Sequence, residues 1–167
     1  ISESWIQELF SIIIQRRMSR QEALECILET ACSITDAHFG DIRLKNNNSL
    51  LIEAVTGNPE IAKVYETHYR ALDMNGISLT SRTFRQKEIQ IFSDVSVEDD
   101  YINANPLTRS EMVAVIRHVE SGEPIGTINL EHARYEGFNY RDKQHLILIA
   151  DVTAIVLQSI ERYTHLE

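Results

Sequence analysis

Apolar residues first recur at helical spacing. Ile6, Leu9, Phe10 and Ile13 mark one face of an amphipathic helix over residues 3–17, and Trp5 and Ile12 widen its stripe. Ser19 and Glu22 form a capping-box pattern that opens a second helix, carrying Leu24, Ile27, Leu28, Ala31 and Ile34. The period then changes to two. Ile42 and Leu44 alternate with Asp41 and Arg43 through Phe39–Lys45, Asn46-Asn47-Asn48 supplies a turn, and Leu50–Val55 returns as the second strand of a hairpin. Asn58-Pro59 starts a third helix, with Ile61, Val64, Tyr65, His68, Tyr69 and Leu72 on it. Past Gly76 the pattern predicts a short helix over Leu79–Arg85 and a strand over Glu88–Phe92. Residues 93–110 are polar and irregular, the length of a lid or binding loop. Two further strands, Glu111–His118 and Ile125–His132, flank a Ser121-Gly122-Glu123 turn. A loop centred there sets Val113 opposite Leu130 and Val115 opposite Ile128. With Ile42, Leu44 and Ile52 these should face the terminal helices, leaving Met112, Ala114, Asn129 and Glu131 on the other face. Asn139 caps a final helix from about residue 141 to 163.

This succession has no repeat or linker, and 167 residues at 43% hydrophobic and 25% charged make one globular domain. We divide the chain into a linker or dimerisation helix (1–18), the domain itself (19–163) and a tail (164–167) in which Leu166-Glu167 reads as a cloning remnant. The start at Ile1 is read as that of a piece of a longer protein, with an output domain elsewhere. A formal charge of −9 offers no basic face, so neither nucleic acid nor anionic membrane is an expected partner. Cys26 and Cys32 lie six apart on the second helix, about 240° out of phase, and cannot bridge locally. Unbridged cysteines, no leader peptide and no apolar run near the ~20 residues of a membrane span point to a cytoplasmic setting.

Candidate chemistry concentrates on one sheet face, where Asp41, Arg43, Glu53, Thr127, Asn129 and Glu131 alternate away from the apolar side. Such a face is either solvated or the floor of a pocket roofed by the third helix and the 93–110 loop. A ligand there would touch some of Arg43, Glu53, Phe92, Arg109, Met112, Asn129 and Glu131. Arg43 and Arg109 are the candidate grips for a carboxylate or phosphate, although Arg43 also suits an ion pair with Glu53 or Glu131. Tyr65, Tyr69, Phe92 and Tyr101 suit the core first and ring stacking second. The six histidines have no partners at metal-ligand spacing, and Glu98-Asp99-Asp100 reads as solvated loop. No serine-histidine-acid order or glycine-rich phosphate loop occurs, so no enzyme activity and no metal is expected.

The element order resembles a GAF domain over residues 20–163, and several stretches are similar to its landmarks. They are Ile77-Ser78-Leu79 through Phe84, Lys87 to Ile91 with Asp94-Val95, Arg109 to Ile116, Pro124 to Leu130, and Phe138 with Asp142 and Leu146. The resemblance implies an α+β fold, profilin- and PAS-like, with an antiparallel sheet of about six strands. Terminal helices would pack on one face, with a ligand pocket on the other. It implies a sensory or regulatory domain of a signal-transduction protein, of the bacterial two-component kind, binding a small molecule or relaying through a helical homodimer. The alternatives are a ligand-free dimerisation module and, behind it, a methionine-sulfoxide reductase. Members that attach a linear tetrapyrrole carry a cysteine after the third helix or in adjoining loops. This chain has none there, so covalent bilin is not expected and the cofactor stays undefined. The reductases need loop cysteines, and the asparagine-lysine-phenylalanine-aspartate-glutamate pattern of cyclic-nucleotide binders does not occur. For the dimer, Leu146, Ile149, Ala150, Thr153, Val156, Leu157, Ile160 and Tyr163, extended by Leu148, Val152 and Ile155, spread over roughly 220° of the last helix, more than one sheet contact needs.

Overall fold

The computed structural model describes residues 4–166, with side chains through Arg162. Tyr163 and the 164–167 tail, as side chains, lie outside the described residues. Local signals set most element ends. Helix α1 (Ser4–Gln15) buries Leu9 and Ile13. The Ser19 hydroxyl accepts the Glu22 amide at 3.2 Å, and α2 (Arg20–Thr35) runs until Asp36 turns left-handed at φ 57°. Strands β1 (Phe39–Asn46) and β2 (Ser49–Thr56) form the hairpin, turned by Asn47 at φ 55°. Asn58 Oδ1 accepts the Glu60 amide at 2.8 Å and opens α3 (Pro59–His68). This helix stops a turn short of expectation: Leu72 belongs to β3 (Ala71–Asp73), which pairs with β2. Next come α4 (Leu79–Gln86), β4 (Gln90–Phe92) and a loop with one 3-10 turn at Val95–Val97. The chain continues through β5 (Ser110–Arg117), β6 (Pro124–His132) and α5 (Tyr140–Leu166). Asn139 and Asp142 exchange side chain to backbone hydrogen bonds of 2.9 Å at the start of α5, a reciprocal cap.

The strands form one antiparallel sheet in the order β3-β2-β1-β6-β5-β4. One face packs against α2 and α5, with α1 laid against α2. Leu24, Ile27 and Leu28 of α2, and Leu146 and Ile149 of α5, meet Ile42, Met112, Ala114, Ile116, Ile128 and Leu130 of the sheet. Most of the broad apolar arc of α5 is thereby covered within the chain, and among its described residues Ile155 is the exposed member at 44%. Within Tyr140–Arg162 an 18-residue stretch has a mean hydropathy of 1.3 and meets the length and composition of a membrane span, where the sequence led us to expect no such run. Half of it is buried within the fold, as befits a helix laid along a sheet.

Two expected registers are corrected. Val113 lies opposite Asn129 and Val115 opposite Thr127, so Met112, Ala114 and Ile116 turn to the helices instead. Both alternations of β5 are apolar, so periodicity cannot choose between them, and an irregularity at Ile116/Arg117 takes up a residue before the turn. In β2 the pairing steps from Ala54 opposite Ile42 to Ile52 opposite Arg43, leaving Glu53 as the bulged residue. Past the bulge the alternation inverts. Ile52 shares the Arg43 side, and Glu53 meets Arg20 of α2 at 3.4 Å.

In the β1–β6 pair, Gly126 lies opposite Leu44. A Cβ at Gly126 would sit 2.3 Å from the Arg43 carbonyl oxygen and 2.8 Å from a Leu44 methyl carbon. Gly126→Ala is therefore expected to cost about 1–3 kcal/mol or more in urea unfolding, because backbone and not a flexible side chain must give way. An unchanged denaturation midpoint would show that β1 and β6 are further apart than described.

Candidate functional site

Asp41 and Arg43 of β1, Glu111 of β5, and Thr127, Asn129 and Glu131 of β6 alternate onto the sheet face turned away from the terminal helices. Asp41 opposes Asn129, Arg43 opposes Thr127, and Glu111 opposes Glu131. None is more than 5% exposed. Over them lie Tyr65 of α3, Tyr69 just past its end, Leu72 of β3, the α4 N-terminus at Ser78, Leu79 and Thr80, and Tyr101 and Ile102 of the long loop. Between floor and roof remains a cavity of about 30 Å³, bordered by Asp41, Arg43, Glu111 and Asn129, with room for one or two waters.

The hydrogen bonds show how the floor is held. Glu131 Oε2 accepts from the Tyr65 hydroxyl at 2.8 Å and from Asn129 Nδ2 at 3.2 Å, while its Oε1 accepts from the Thr108 hydroxyl at 2.7 Å. Asn129 Nδ2 also donates to Asp41 Oδ2 at 3.1 Å. Arg43 Nη1 donates to the carbonyls of Leu50 and Arg70, each at 3.2 Å, which ties β1 to β2 and the segment before β3. Its Nε lies 3.4 Å from Asp41 Oδ1 as an ion pair, but without hydrogen-bond alignment. Asp41 Oδ1, Arg43 Nε, Glu111 Oε2 and Asn129 Oδ1 are therefore buried with no hydrogen-bond partner in the chain. Three of the four are acceptors.

Three carboxylates thus share one buried patch with one guanidinium. Burial pushes Asp41 up, against the pull of Arg43. Burial, with Glu131 opposite, raises Glu111 well above the usual carboxylate range. Burial also lifts Glu131 to about 7, although the bonds from Thr108 and Tyr65 stabilise its anion. The Tyr65 hydroxyl is raised by burial and by Glu131, so it stays a donor.

The expected site residues divide. Arg43 and Asn129 border the cavity, and Glu131 sits behind Asn129 as the hub of the hydrogen bonds. Phe92 lies on the same face but packs with Leu79, Val95 and Val113 beside the cavity. Three placements are corrected. Met112 points into the helix-side core because of the β5 register. Glu53 is turned to Arg20 by the β2 bulge. Arg109 is exposed, donating to the Pro106 and Thr108 carbonyls with its guanidinium 6.0 Å from the Tyr135 ring. Arg43 pairs with Asp41 and with neither Glu53 nor Glu131. Glu111 escaped the sequence reading because the wrong register turned it to the core side. Asp41 was on the polar face, and opposition to Asn129 is what makes it part of the site. Elsewhere, a groove of about 370 Å³ opens between α5 and β5, lined by Ile89, Ala114, Ile147 and Ala150 together with the charged Glu88, Arg117, Lys143 and Asp151.

A curled antiparallel sheet with terminal helices on one side and a roofed polar cavity on the other defines the class, an α+β domain. The chain belongs to the GAF domain family, whose profile matches residues 17–158. No curated protein sequence matches it at a significant level. The fold is shared with the GAF domain of an Acinetobacter phosphoenolpyruvate-protein phosphotransferase, at TM-score 0.77 and 15% identity over 97% of each chain. It is shared also with type II free methionine-R-sulfoxide reductase from Thermoplasma acidophilum, at TM-score 0.69 and 23% identity over 85% of this chain and 97% of that one. The free methionine-R-sulfoxide reductase of Neisseria meningitidis, in complex with its substrate, aligns at TM-score 0.73 and 14% identity over 87% and 81%. These reductases overturn the expectation that the chain is no enzyme, because the same fold carries catalysis in them. As to thiols, Cys26 and Cys32 are both on α2 and pack on the helix-side core. Burial raises Cys26 and pushes Cys32 up to about 12, so both are held as thiols at neutral pH.

A raised carboxyl pKa fixes the sign of a pH effect. Between about 4.5 and 7 the folded chain keeps a proton on Glu131 that the unfolded chain has lost, so stability falls as pH rises through that window. Asp41 and Glu111 act in the same direction. His38 and His132, lowered chiefly by burial, act oppositely and cost stability as pH falls below 6.5. Glu131→Gln is expected to remove part of the loss between pH 5 and 8, at most about 3 kcal/mol. Urea titrations of both proteins across that range check it, and parallel profiles would place the titration elsewhere.

Proposed function

We propose that this domain is a sensory or regulatory module of a signal-transduction protein, and that its pocket takes a small molecule bearing a protonated nitrogen. One observation carries the reading: three buried carboxylates meet a single guanidinium, and three acceptor atoms around the cavity lack a donor. A primary ammonium brings three donors and one positive charge, answering both deficits at once. An anionic ligand would add charge to a patch that already holds protons to relieve its own repulsion. Several structural neighbours are named as reductases of a free amino acid derivative, which makes amino acids a sensible ligand class to try first.

Binding a cation here displaces protons from Glu131 and its neighbours, so affinity is expected to rise with pH between about 6 and 8. Calorimetry with L-methionine, free methionine-R-sulfoxide, L-lysine and ethanolamine, against acetate and cyclic AMP, tests the class. Two buffers of different ionisation enthalpy report the proton release. Glu111→Gln should weaken binding at least about tenfold if a charge-assisted bond is lost. Absence of heat from every amine, together with no small molecule in native mass spectra of the purified protein, would leave a ligand-free relay.

The relay itself is proposed to run through a homodimer of α1 and α5. Ile12 is exposed at 38%, Ile14 at 69% and Ile155 at 44%, and β-branched apolar residues so placed on terminal helices favour association. Sedimentation of the chain should give a dimer at tens of micromolar, shifted toward monomer by Ile155→Glu. A monomer in both would mean that the helices serve their own chain.

A further inference from the structure

A ligand of the class proposed above does not fit a cavity of about 30 Å³, so a wall has to move before it enters. We infer that Arg82 is the latch on that wall. From α4 its Nη2 reaches Glu98 Oε2 at 3.2 Å and its Nη1 reaches Asp100 Oδ2 at 3.3 Å, with the guanidinium carbon 5.1 Å from the centre of the Phe92 ring. The two acids lie one and three residues before Tyr101, which with Ile102 closes the cavity from the loop side, while the start of α4 supplies Ser78, Leu79 and Thr80. One side chain therefore ties together the two walls that would have to part.

The rest of the loop is fastened at its ends. The Val95 amide donates to the Arg109 carbonyl at 2.9 Å, Asn105 Nδ2 lies 3.0 Å from His38 Nε2, and the Thr108 hydroxyl is bound to Glu131. Between these pins, the hydrogen bonds described for residues 98–104 other than those of Arg82 stay within the loop: the Glu98 amide to the Val95 carbonyl, the Tyr101 amide to the Glu98 carbonyl, Ala104 to Ile102, and the Tyr101 hydroxyl to the Asn105 carbonyl. The latch is also built to yield. Arg82, Glu98 and Asp100 keep 28–30% of their side-chain surface in water, so the ion pairs are screened and individually weak. Opening would release Glu98 and Asp100, beside Asp99, to the mouth of the pocket, where their charge draws in a cation.

The role of Arg82 as an entry gate rests on the pocket being a ligand site, whereas the latch does not, and hydrogen exchange without ligand tests the latch. In Arg82→Gln, amides of residues 98–104 should exchange about three- to tenfold faster, the size expected for two part-exposed ion pairs and one cation–π contact. Amides of β1 and β6 serve as the internal reference for global stability and should not change. In the wild-type chain, 1 M NaCl should produce most of the same acceleration, and in Arg82→Gln almost none. Arg85→Gln is the control on the same helix, since Arg85 binds the Met74 and Gly76 carbonyls and should loosen residues 74–76 only. Equal exchange of residues 98–104 in wild type and Arg82→Gln, or a rise matched throughout β1 and β6, overturns the latch. Faster exchange with no amine bound in calorimetry keeps the latch and removes the ligand reading.

Discussion

A carboxylate taken out of water must be protonated, paired or given a ligand, and β1, β5 and β6 bring three of them into one patch. Arg43 answers only part of this demand. Its Nη1 is committed to two backbone carbonyls, and its Nε stands off Asp41 without alignment. The opposition of Glu111 to Glu131 then makes the patch hold protons, and Tyr65, Thr108 and Asn129 are arranged as donors around the one carboxylate they all reach. Roof, floor and loop are positioned by that single need.

This accounts for the attachment of the roof to the sheet. Tyr65 comes from α3 and Thr108 from the end of the long loop, so both elements are fastened through Glu131. His38, at the junction between α2 and β1, joins the same assembly through Asn105 and Thr108. A change in the charge of Glu131 would be felt by α3, by the loop and by the connection into α2. On the other face, the apolar surfaces of α2 and α5 pack against the strands.

The pocket face was visible in the sequence only in outline. Asp41, Arg43, Asn129 and Glu131 lie on strands with one clear alternation, and those residues fell on the correct side. Glu111 and Met112 exchanged roles because β5 is apolar on both alternations, leaving nothing in the chain to prefer one. Glu53 carried the right polarity, but a bulge cannot be read from spacing, since one unpaired residue inverts everything beyond it. Arg109 looked like a ligand grip because guanidinium suits that task, and its actual partners are backbone carbonyls that no motif announces.

By itself the sequence determined most of the elements, their caps and their order, the three-residue β3 excepted. Ser19, Asn58, Asn139 and the Asn46–Asn48 turn act on atoms two to four residues away, and that distance is within reach of local chemistry. It determined also that one face of the sheet would be charged. Only the tertiary structure decided which carboxylates oppose each other, how small a space they enclose and what covers it. Those are properties of pairing between β1, β5 and β6 and of the roof elements laid over them. Glu131 is 66 residues from Tyr65 and Asn129 is 88 from Asp41, separations at which no residue pattern records its partner.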